Sequence, residues 1–462
     1  MKKITMSLLA MLVAMPGMAQ IKLGKDFSLK VYGQVRADIY YNSRDNVQSV
    51  DGLFYMYPKD EVLDPNGKDI NSGDNSNMYT AYSRLGLDFV GPMLGKAKTS
   101  AKVELDYRGN GNDNLHTFRL RQAYFNLDWG KSKLLVGQTW HPFFGEVSPQ
   151  ILNLNTGAPF QAFSRAPQIR YRYNSGDIQL TASALWQSQY KSYGPIANDG
   201  SGNSRIQAPH KNSNIPELAL GIDYKANGWI AGVGMDVLSI APRTQAIGED
   251  GKTYKVDERL TTVSYEAHLK YTGNNLFFAA KSTLGANFSH VSMLGGYAVK
   301  AQDAKTGERE YTAFRNSSNW INLVYGKKWK PGIFVGYIKN LGTSDDMLGS
   351  TVYGTGTNLD QLLSTTFELT YNIPHWKIGA EYNLSTAWYI PKLKEKKACP
   401  IAPRNTSAFT LLKSGFNKKS NPLSALGRLT EQAASTIIRI NKTGIKILEE
   451  RSIPFLTPLT TT

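Results

Sequence analysis

Residues 168–187 read Gln168-Ile169-Arg170-Tyr171-Arg172-Tyr173-Asn174-Ser175-Gly176-Asp177-Ile178-Gln179-Leu180-Thr181-Ala182-Ser183-Ala184-Leu185-Trp186-Gln187. Two runs of strict alternation flank the polar turn at 174–177. In the first, Ile169, Tyr171 and Tyr173 oppose Gln168, Arg170 and Arg172. In the second, Ile178, Leu180, Ala182, Ala184 and Trp186 oppose Gln179, Thr181, Ser183 and Gln187. Period two is the mark of a strand with one apolar and one polar face. The pair reads as an antiparallel hairpin.

The same period recurs outward from this hairpin. In residues 31–40, Val31, Gly33, Val35, Ala37 and Ile39 oppose Tyr32, Gln34, Arg36, Asp38 and Tyr40. It returns at 101–108, 263–271, 363–371 and 376–384, and no helix-period stretch of useful length interrupts it. A soluble sandwich alternates too, so three further features matter. The strands run to roughly nine to fourteen residues, as a tilted membrane-crossing strand requires. Short connections (91–96, 130–133, 174–177, 226–228, 273–275, 327–331, 372–374) alternate with long polar ones (44–77, 142–166, 191–215, 241–258, 287–315, 341–360). Tyr and Trp gather near strand ends, among them Tyr40, Tyr41, Trp129, Trp140, Tyr173, Trp229, Trp329 and Trp376. Short turns on one side, long loops on the other and aromatic girdles are the habits of an outer-membrane barrel. The expected fold is an all-β, transmembrane antiparallel β-barrel.

Composition closes the other routes. No internal run of eighteen apolar residues would make a spanning helix. The single cysteine, Cys399, has no intrachain partner for a disulfide. Fifteen strands are recoverable up to Tyr389, and a bacterial barrel ordinarily has an even count. Sixteen are therefore expected, enough to enclose an aqueous channel.

Both ends stand apart. Lys2 and Lys3 precede an apolar stretch from Ile4 to Met15, and small residues follow to Ala19. This is a secretory signal, 1–19, with the cut expected after Ala19. The barrel domain is 20–389. Residues 390–462 contain none of the 25 Tyr or 8 Trp and carry a net charge of +9 out of the chain's +16. This basic tail lacks the usual aromatic-ended last strand. Two readings stand for it: a genuine, disordered extension with a weak closing strand at 436–448, or a segment translated out of frame. The second is preferred and predicts an unpaired barrel edge.

With the tail and signal set aside, 20–389 carry only +5, which points away from nucleic acid. Gly248-Glu249-Asp250-Gly251-Lys252-Thr253 resembles the end of a phosphate loop but has Ala246 where the first glycine belongs, and reads as a turn. The six histidines (116, 141, 210, 268, 290, 375) never fall at metal-ligand spacing, so no metal site is indicated. Asp60, Glu61, Asp64, Asp69 and Asp74 read as solvated loop charge rather than a calcium site. No cofactor and no catalytic cluster is indicated.

The lumen carries the chemistry. Arg36, Arg84, Arg108, Arg170, Arg172 and Lys102 fall on the face opposite lipid, with Asp38, Glu104 and Asp106. Lys270, Lys281, Lys377, Asp88, Glu266, Glu368 and Glu381 share it. Arg119 and Arg121 belong there too, although the alternation slips near Gln122. The arginines gather in strands one to six and several acids lie beyond, which sets a transverse field that selects ions. Connection 142–166 is apolar and proline-rich where its neighbours are polar. It is expected to pack inside the barrel as a constriction, with a buried subunit contact as the alternative. Trp140, His141 and Phe144 mark it, and Glu146 and Arg165 are expected to narrow the eyelet.

Several segments resemble the DcaP-like trimeric outer-membrane porins of Gram-negative bacteria, in their Bacteroides-type form. They are Val31-Tyr32-Gly33-Gln34-Val35-Arg36-Ala37-Asp38, Gly137-Gln138-Thr139-Trp140-His141-Pro142, Gly157-Ala158-Pro159-Phe160, residues 164–173, Met293-Leu294-Gly295-Gly296 and Thr386-Ala387-Trp388-Tyr389. The resemblance spans about residues 27–389. It implies a sixteen-stranded homotrimer that passes small anionic solutes, dicarboxylates among them, through an arginine-rich constriction. The implied surroundings are the outer membrane with its lipid bilayer and lipopolysaccharide, reached through the outer-membrane assembly machinery. The periplasmic coiled coil of some relatives and the usual last strand are both missing here.

The expected function is passive, charge-selective diffusion of small anions, without catalysis. The alternatives are a barrel whose long loops bind polysaccharide or host surface, and a hydrolase at the barrel rim.

Overall fold

Alternation in sequence becomes an inside and an outside. Ile169 and Tyr171 are 47% and 45% exposed, whereas Gln168 and Arg170 beside them are 2% and 6% exposed. The same division runs through the wall. Leu218, Leu220, Ile222, Val233, Tyr265, Ile321 and Phe367 face out, while Ser183, Ser264, Thr283, Ser318, Thr366 and Asn383 are buried inward. An apolar exterior and a polar interior reverse the arrangement of a soluble protein and suit a wall set in lipid.

The computed structural model describes residues 21–22, 26–50, 54–109, 116–390 and 404–412. Its wall has sixteen strands. β1 comes in two segments, Ser28–Gln34 and Asp38–Asn42, and so does β2, Asn75–Tyr79 and Arg84–Leu94. Then follow β3 (Ala97–Asp106), β4 (Arg119–Asp128), β5 (Ser132–Trp140), β6 (Arg165–Ser175), β7 (Ile178–Leu185) and β8 (Glu217–Ala226). β9 is Trp229–Ile240, β10 Leu260–Thr272, β11 Leu276–Ala286 and β12 Arg315–Tyr325. β13 is Trp329–Gly342, β14 Leu359–Ile373, β15 Trp376–Tyr389 and β16 Arg404–Leu412. Each pairs antiparallel with the next in chain order. Among the described residues no helix is long and apolar enough to cross a membrane; the strands are what cross.

β16 closes the ring. It runs from Arg404 opposite Tyr389 to Leu412 opposite Glu381, and meets β1 where Thr410 faces Asn42 and Leu411 faces Tyr41. This strand lies earlier than the one anticipated at 436–448, a stretch outside the described residues, as are the signal 1–19 and Cys399. Among the described residues, 376–380 pair only with β14, and Ser28–Gln34 pair with β2 and with residues 21–22. The described closure is thus confined to the long-loop side of the seam.

Two breaks in the regular wall bear on the arginines. Residues 35–37 and 80–83 interrupt β1 and β2 side by side, bridged where Arg36 N–H donates to Ser83 Oγ at 3.1 Å. Between β3 and β4 the pairing jumps from Glu104–Gln122 to Leu105–Leu120, leaving Arg121 as an extra residue. Such a β-bulge re-aims side chains without ending the strand.

The long loops carry small sheets of their own. Gly295–Gln302 pairs with Arg309–Ala313 and Val352–Thr355, and Arg243 and Tyr311 both reach Glu258. The phosphate-loop-like 248–253 is the turn of a hairpin, Gln245–Ile247 with Thr253–Lys255.

Candidate functional site

The connection after β5, residues 141–164, lies inside the barrel. Its Phe144, Val147, Ala158, Phe160 and Phe163 share one apolar cluster with wall residues Phe277, Ala279, Trp320, Val324, Phe334, Ile338 and Leu362. Polar anchors fix it along its length. Ser318 Oγ donates to Phe160 O at 3.0 Å, Trp320 Nε1 to Gln161 Oε1 at 3.0 Å, and Gln150 N–H to Asn322 Oδ1 at 2.7 Å. Leu152 and Asn153 N–H both donate to Glu381 Oε2, at 2.8 and 3.0 Å. Arg36 Nη2 donates to Leu152 O at 2.6 Å. The subunit-contact alternative therefore gives way to the inward loop.

Gly336 makes room for it. A Cβ there would stand 2.5 Å from the Phe160 ring, well inside van der Waals contact. The aromatic packs where the strand has no side chain.

The first long connection enters as well, which the polar reading of 44–77 did not anticipate. Residues 54–58 are buried, Phe54 meets Phe163 edge-on at 5.1 Å, and Asn155 Nδ2 donates to Tyr55 O at 3.2 Å. Its signal in sequence was the run Phe54-Tyr55-Met56-Tyr57 within an otherwise polar loop.

Facing these loops, β2 to β6 hold the arginines. Arg119 forms a two-pronged pair with Asp106, at 2.9 and 2.5 Å. Arg121 reaches Glu104 at 2.7 Å and Asp106 at 2.9 Å, and Arg84 lies 3.7 Å from Glu104. The bulge at Arg121 is the physical cause of the slip near Gln122: it turns both Arg119 and Arg121 inward while Leu120 stays outside. Tyr32 OH donates to Glu104 Oε2 at 2.9 Å, and Lys102 pairs with Asp88 at 2.9 Å. Arg36 pairs with Asp38 at 2.7 Å.

Three guanidiniums are different. Among the described residues Arg108, Arg165 and Arg170 have no carboxylate within ion-pair distance. Arg108 donates to Ser49 O at 2.7 Å and Arg170 to Trp140 O at 2.6 Å. Arg165 donates to Gln189 Oε1 at 2.9 Å and Tyr190 OH at 3.2 Å, and lies 4.6 Å over the Trp140 ring. Among the described residues, one Nη of Arg165 and the Nε of Arg170 have no hydrogen-bond partner. The charge they leave is felt at Tyr190, a loop residue absent from the sequence reading. Burial pushes its phenol up, but Arg165, Arg119, Arg108 and Arg121 outweigh burial and hold it below its ordinary value.

The eyelet needs correcting. Glu146 does not face Arg165: its carboxylate pairs with Lys225 at 2.7 Å and Arg172 at 3.8 Å, and Lys270 donates to its backbone oxygen. Burial raises the Glu146 carboxyl, yet Lys225 and Arg172 bring it below its usual range. Arg165 is wholly buried instead, beneath Trp140. Phe144 belongs to the packed interior of the inward loop and stacks on Trp140 with centroids 4.0 Å apart. His141 turns into the wall, to Glu217 at 2.9 Å. Arg170 is buried under the loop rather than pointing into open water. Linear alternation places a side chain inside a barrel; it does not say what a folded-in loop then covers.

The acids of the far strands are largely occupied. Glu266 pairs with Lys281 at 3.0 Å, Glu381 holds loop N–H groups, and Glu368 stands opposite Glu381 in the β14–β15 register. The histidine reading also changes: His141 and His290, remote in sequence, both reach Glu217.

Residues 21–189 match the family model described as DcaP outer membrane protein. No curated protein matches the chain in sequence. Among solved structures, the outer membrane channel DcaP of Acinetobacter baumannii is similar, with 17% identity and a TM-score of 0.60, over 85% of this chain and 98% of that one. OmpT, an outer membrane protein of Vibrio cholerae, has 11% identity and a TM-score of 0.48, over 84% and 97%. The matched segment, 21–189, holds the arginine wall and the inward loop, set in a barrel that shares its fold with the DcaP channel. The chain is an outer-membrane β-barrel channel protein whose residues 21–189 are similar to the DcaP outer membrane protein family.

Proposed function

We propose that the channel passes small anionic solutes, dicarboxylate-like in charge and size, by passive diffusion past the arginines of β2 to β6. The observation that carries this is the group Arg108, Arg165 and Arg170: three guanidiniums without a carboxylate partner beside a lumen narrowed by two inward loops. Fixed cationic charge at a narrow point lowers the barrier for anions and raises it for cations. Guanidinium also suits carboxylate through its forked donors, a contact open to the partly exposed Arg84, Arg108 and Arg172, while the buried Arg165 and Arg170 act through their charge. Arg84 and Arg172, half-buried, extend the cationic wall along the lumen, while Arg119 and Arg121 are neutralised in place by Glu104 and Asp106. The chain works as a homotrimer, as its resemblance to the DcaP-like porins implies, in a bilayer faced with lipopolysaccharide.

Proteoliposome swelling tests the reading. Vesicles holding the full-length protein should swell faster in succinate than in a diamine dication of similar size. Equal rates, or faster entry of the dication, would contradict it.

A further inference from the structure

His141 and His290 lie on different loops, yet both point at one oxygen. His141 Nε2 stands 2.9 Å and His290 Nε2 2.7 Å from Glu217 Oε1. From the neighbouring strand β9, Asp236 brings its Oδ2 to 3.8 Å from His141 Nε2. All four side chains are buried, none more than 2% exposed. Neither carboxylate has a lysine or arginine within ion-pair distance among the described residues, and both oxygens of Asp236 are without a hydrogen-bond donor. Phe143, Phe288, Val291 and Met293 close the cluster off from water.

Two carboxylates enclosed this way need a cation or a shared proton, and among the described residues no side chain supplies a permanent positive charge. Two imidazole nitrogens with a carboxylate oxygen form a ligand set suited to Zn²⁺, with Asp236 or water open to the fourth position; Mg²⁺ and Ca²⁺ prefer oxygen throughout. In a tetrahedral site with bonds of about 2.0–2.2 Å, donors sit roughly 3.3 Å apart. The ligand atoms of His141, His290 and Glu217 lie within 4.8 Å of one another, and the 2.9 and 2.7 Å separations to Glu217 Oε1 are a little shorter than that spacing. A divalent ion would also balance the two carboxylates.

We propose that His141, His290 and Glu217 hold a Zn²⁺-class ion, balanced by Asp236, in a site that ties the base of the inward loop to the wall. The four residues come from three parts of the fold. His141 opens the loop, His290 lies in the turn Phe288–Val291 above β11, and Glu217 and Asp236 project from the inner faces of β8 and β9. Phe143 N–H donates to His141 Nδ1 at 3.1 Å, so the ion-free ring carries its proton on Nε2. Binding shifts that proton to Nδ1, frees Nε2 for the ion and turns the Phe143 peptide away. The inference concerns how the loop is held and stands apart from which solutes pass.

The test uses full-length protein without a histidine tag, stripped with EDTA in detergent and dialysed against low-micromolar ZnCl₂. Metal analysis should find one Zn²⁺ per chain, and Co²⁺ should give the intense visible bands of a four-coordinate site. His290→Ala and Glu217→Gln should each weaken Zn²⁺ binding by tenfold or more, while His375→Ala, at an exposed turn, leaves it unchanged. If a ligand variant fails to fold, the Zn²⁺ content and Co²⁺ spectrum of the unaltered protein still decide. A chain that takes up no Zn²⁺, meaning that protons alone hold the four groups, would overturn the site. So would Zn²⁺ binding that survives His290→Ala.

Discussion

Arg121 Nε lies 2.7 Å from Glu104 Oε1 because Arg121 is the extra residue of the β3–β4 bulge. A regular ladder would alternate it outward, toward lipid; the bulge delivers it to a buried carboxylate. Breaking a buried pair leaves one uncompensated charge and costs roughly 3–5 kcal/mol. Glu104→Ala should therefore lower the urea midpoint of the folded barrel. It also removes a negative charge from the cationic wall, so the anion-to-cation permeability ratio should rise. An unchanged ratio would mean that Glu104 lies outside the solute path's electrostatic reach.

Gly336 and Phe160 make a second pair that can be tested together. Gly336→Val forces a side chain into the Phe160 ring and should cost about 1–3 kcal/mol through overpacking, with higher and noisier single-channel conductance as the loop shifts. Phe160→Ala alone should cost roughly 3–5 kcal/mol through the cavity it opens. The double variant should be less destabilised than the sum, because the ring that clashed is gone. Strict additivity would show that the two side chains do not meet.

Sequence reading reached the wall and stopped at what covers it. Ile169 and Tyr171 against Gln168 and Arg170 alternate visibly, and that pattern alone orders most strands, since period two is a local property. Loop 141–164 was legible as inward because Phe143, Phe144, Phe160 and Phe163 would be poorly placed in solvent. The partners of these residues were not legible. Glu146 with Lys225, Arg165 with Gln189 and Tyr190, and His141 with His290 through Glu217 all join separate loops and strands, and spacing along the chain holds no record of such contacts. The closing strand at Arg404–Leu412 was missed because it lies in a stretch lacking the aromatic and glycine content of the other strands.

Tyr190 gives a pH test with a defined sign. Its phenol sits among four arginines and is held below the ordinary value of 10.0, so it loses its proton at a pH where a free tyrosine still keeps it. The phenolate adds one negative charge beside Arg165, and anion preference should fall as pH rises toward that ordinary value. Tyr190→Phe should remove this alkaline change. Glu146, held below its usual range by Lys225 and Arg172, stays ionised through mildly acid pH and should contribute no change between neutrality and pH 5. Persistence of the alkaline change in Tyr190→Phe would assign it elsewhere.

The seam is open to cross-linking. Asn42 and Thr410 are direct partners where β1 meets β16, and facing Cα atoms of an antiparallel pair are about 4.5–5.5 Å apart, within disulfide reach. Asn42→Cys with Thr410→Cys, in a Cys399→Ser chain, should form a bond that alters gel mobility until it is reduced. Asn42→Cys with Ser407→Cys should not, since that pairing is out of register. Equal cross-linking of both pairs would mean that β16 is not the closing strand.

The central claim is that unpaired guanidiniums make the lumen favour anions. Its most direct measurement is the reversal potential of single channels in a planar bilayer under a KCl gradient, using full-length protein from outer membranes. The potential should have the sign of chloride selectivity, and it should move toward zero in a variant carrying Arg108→Gln and Arg170→Gln. A cation-selective potential, or one unchanged in that variant, would contradict the account.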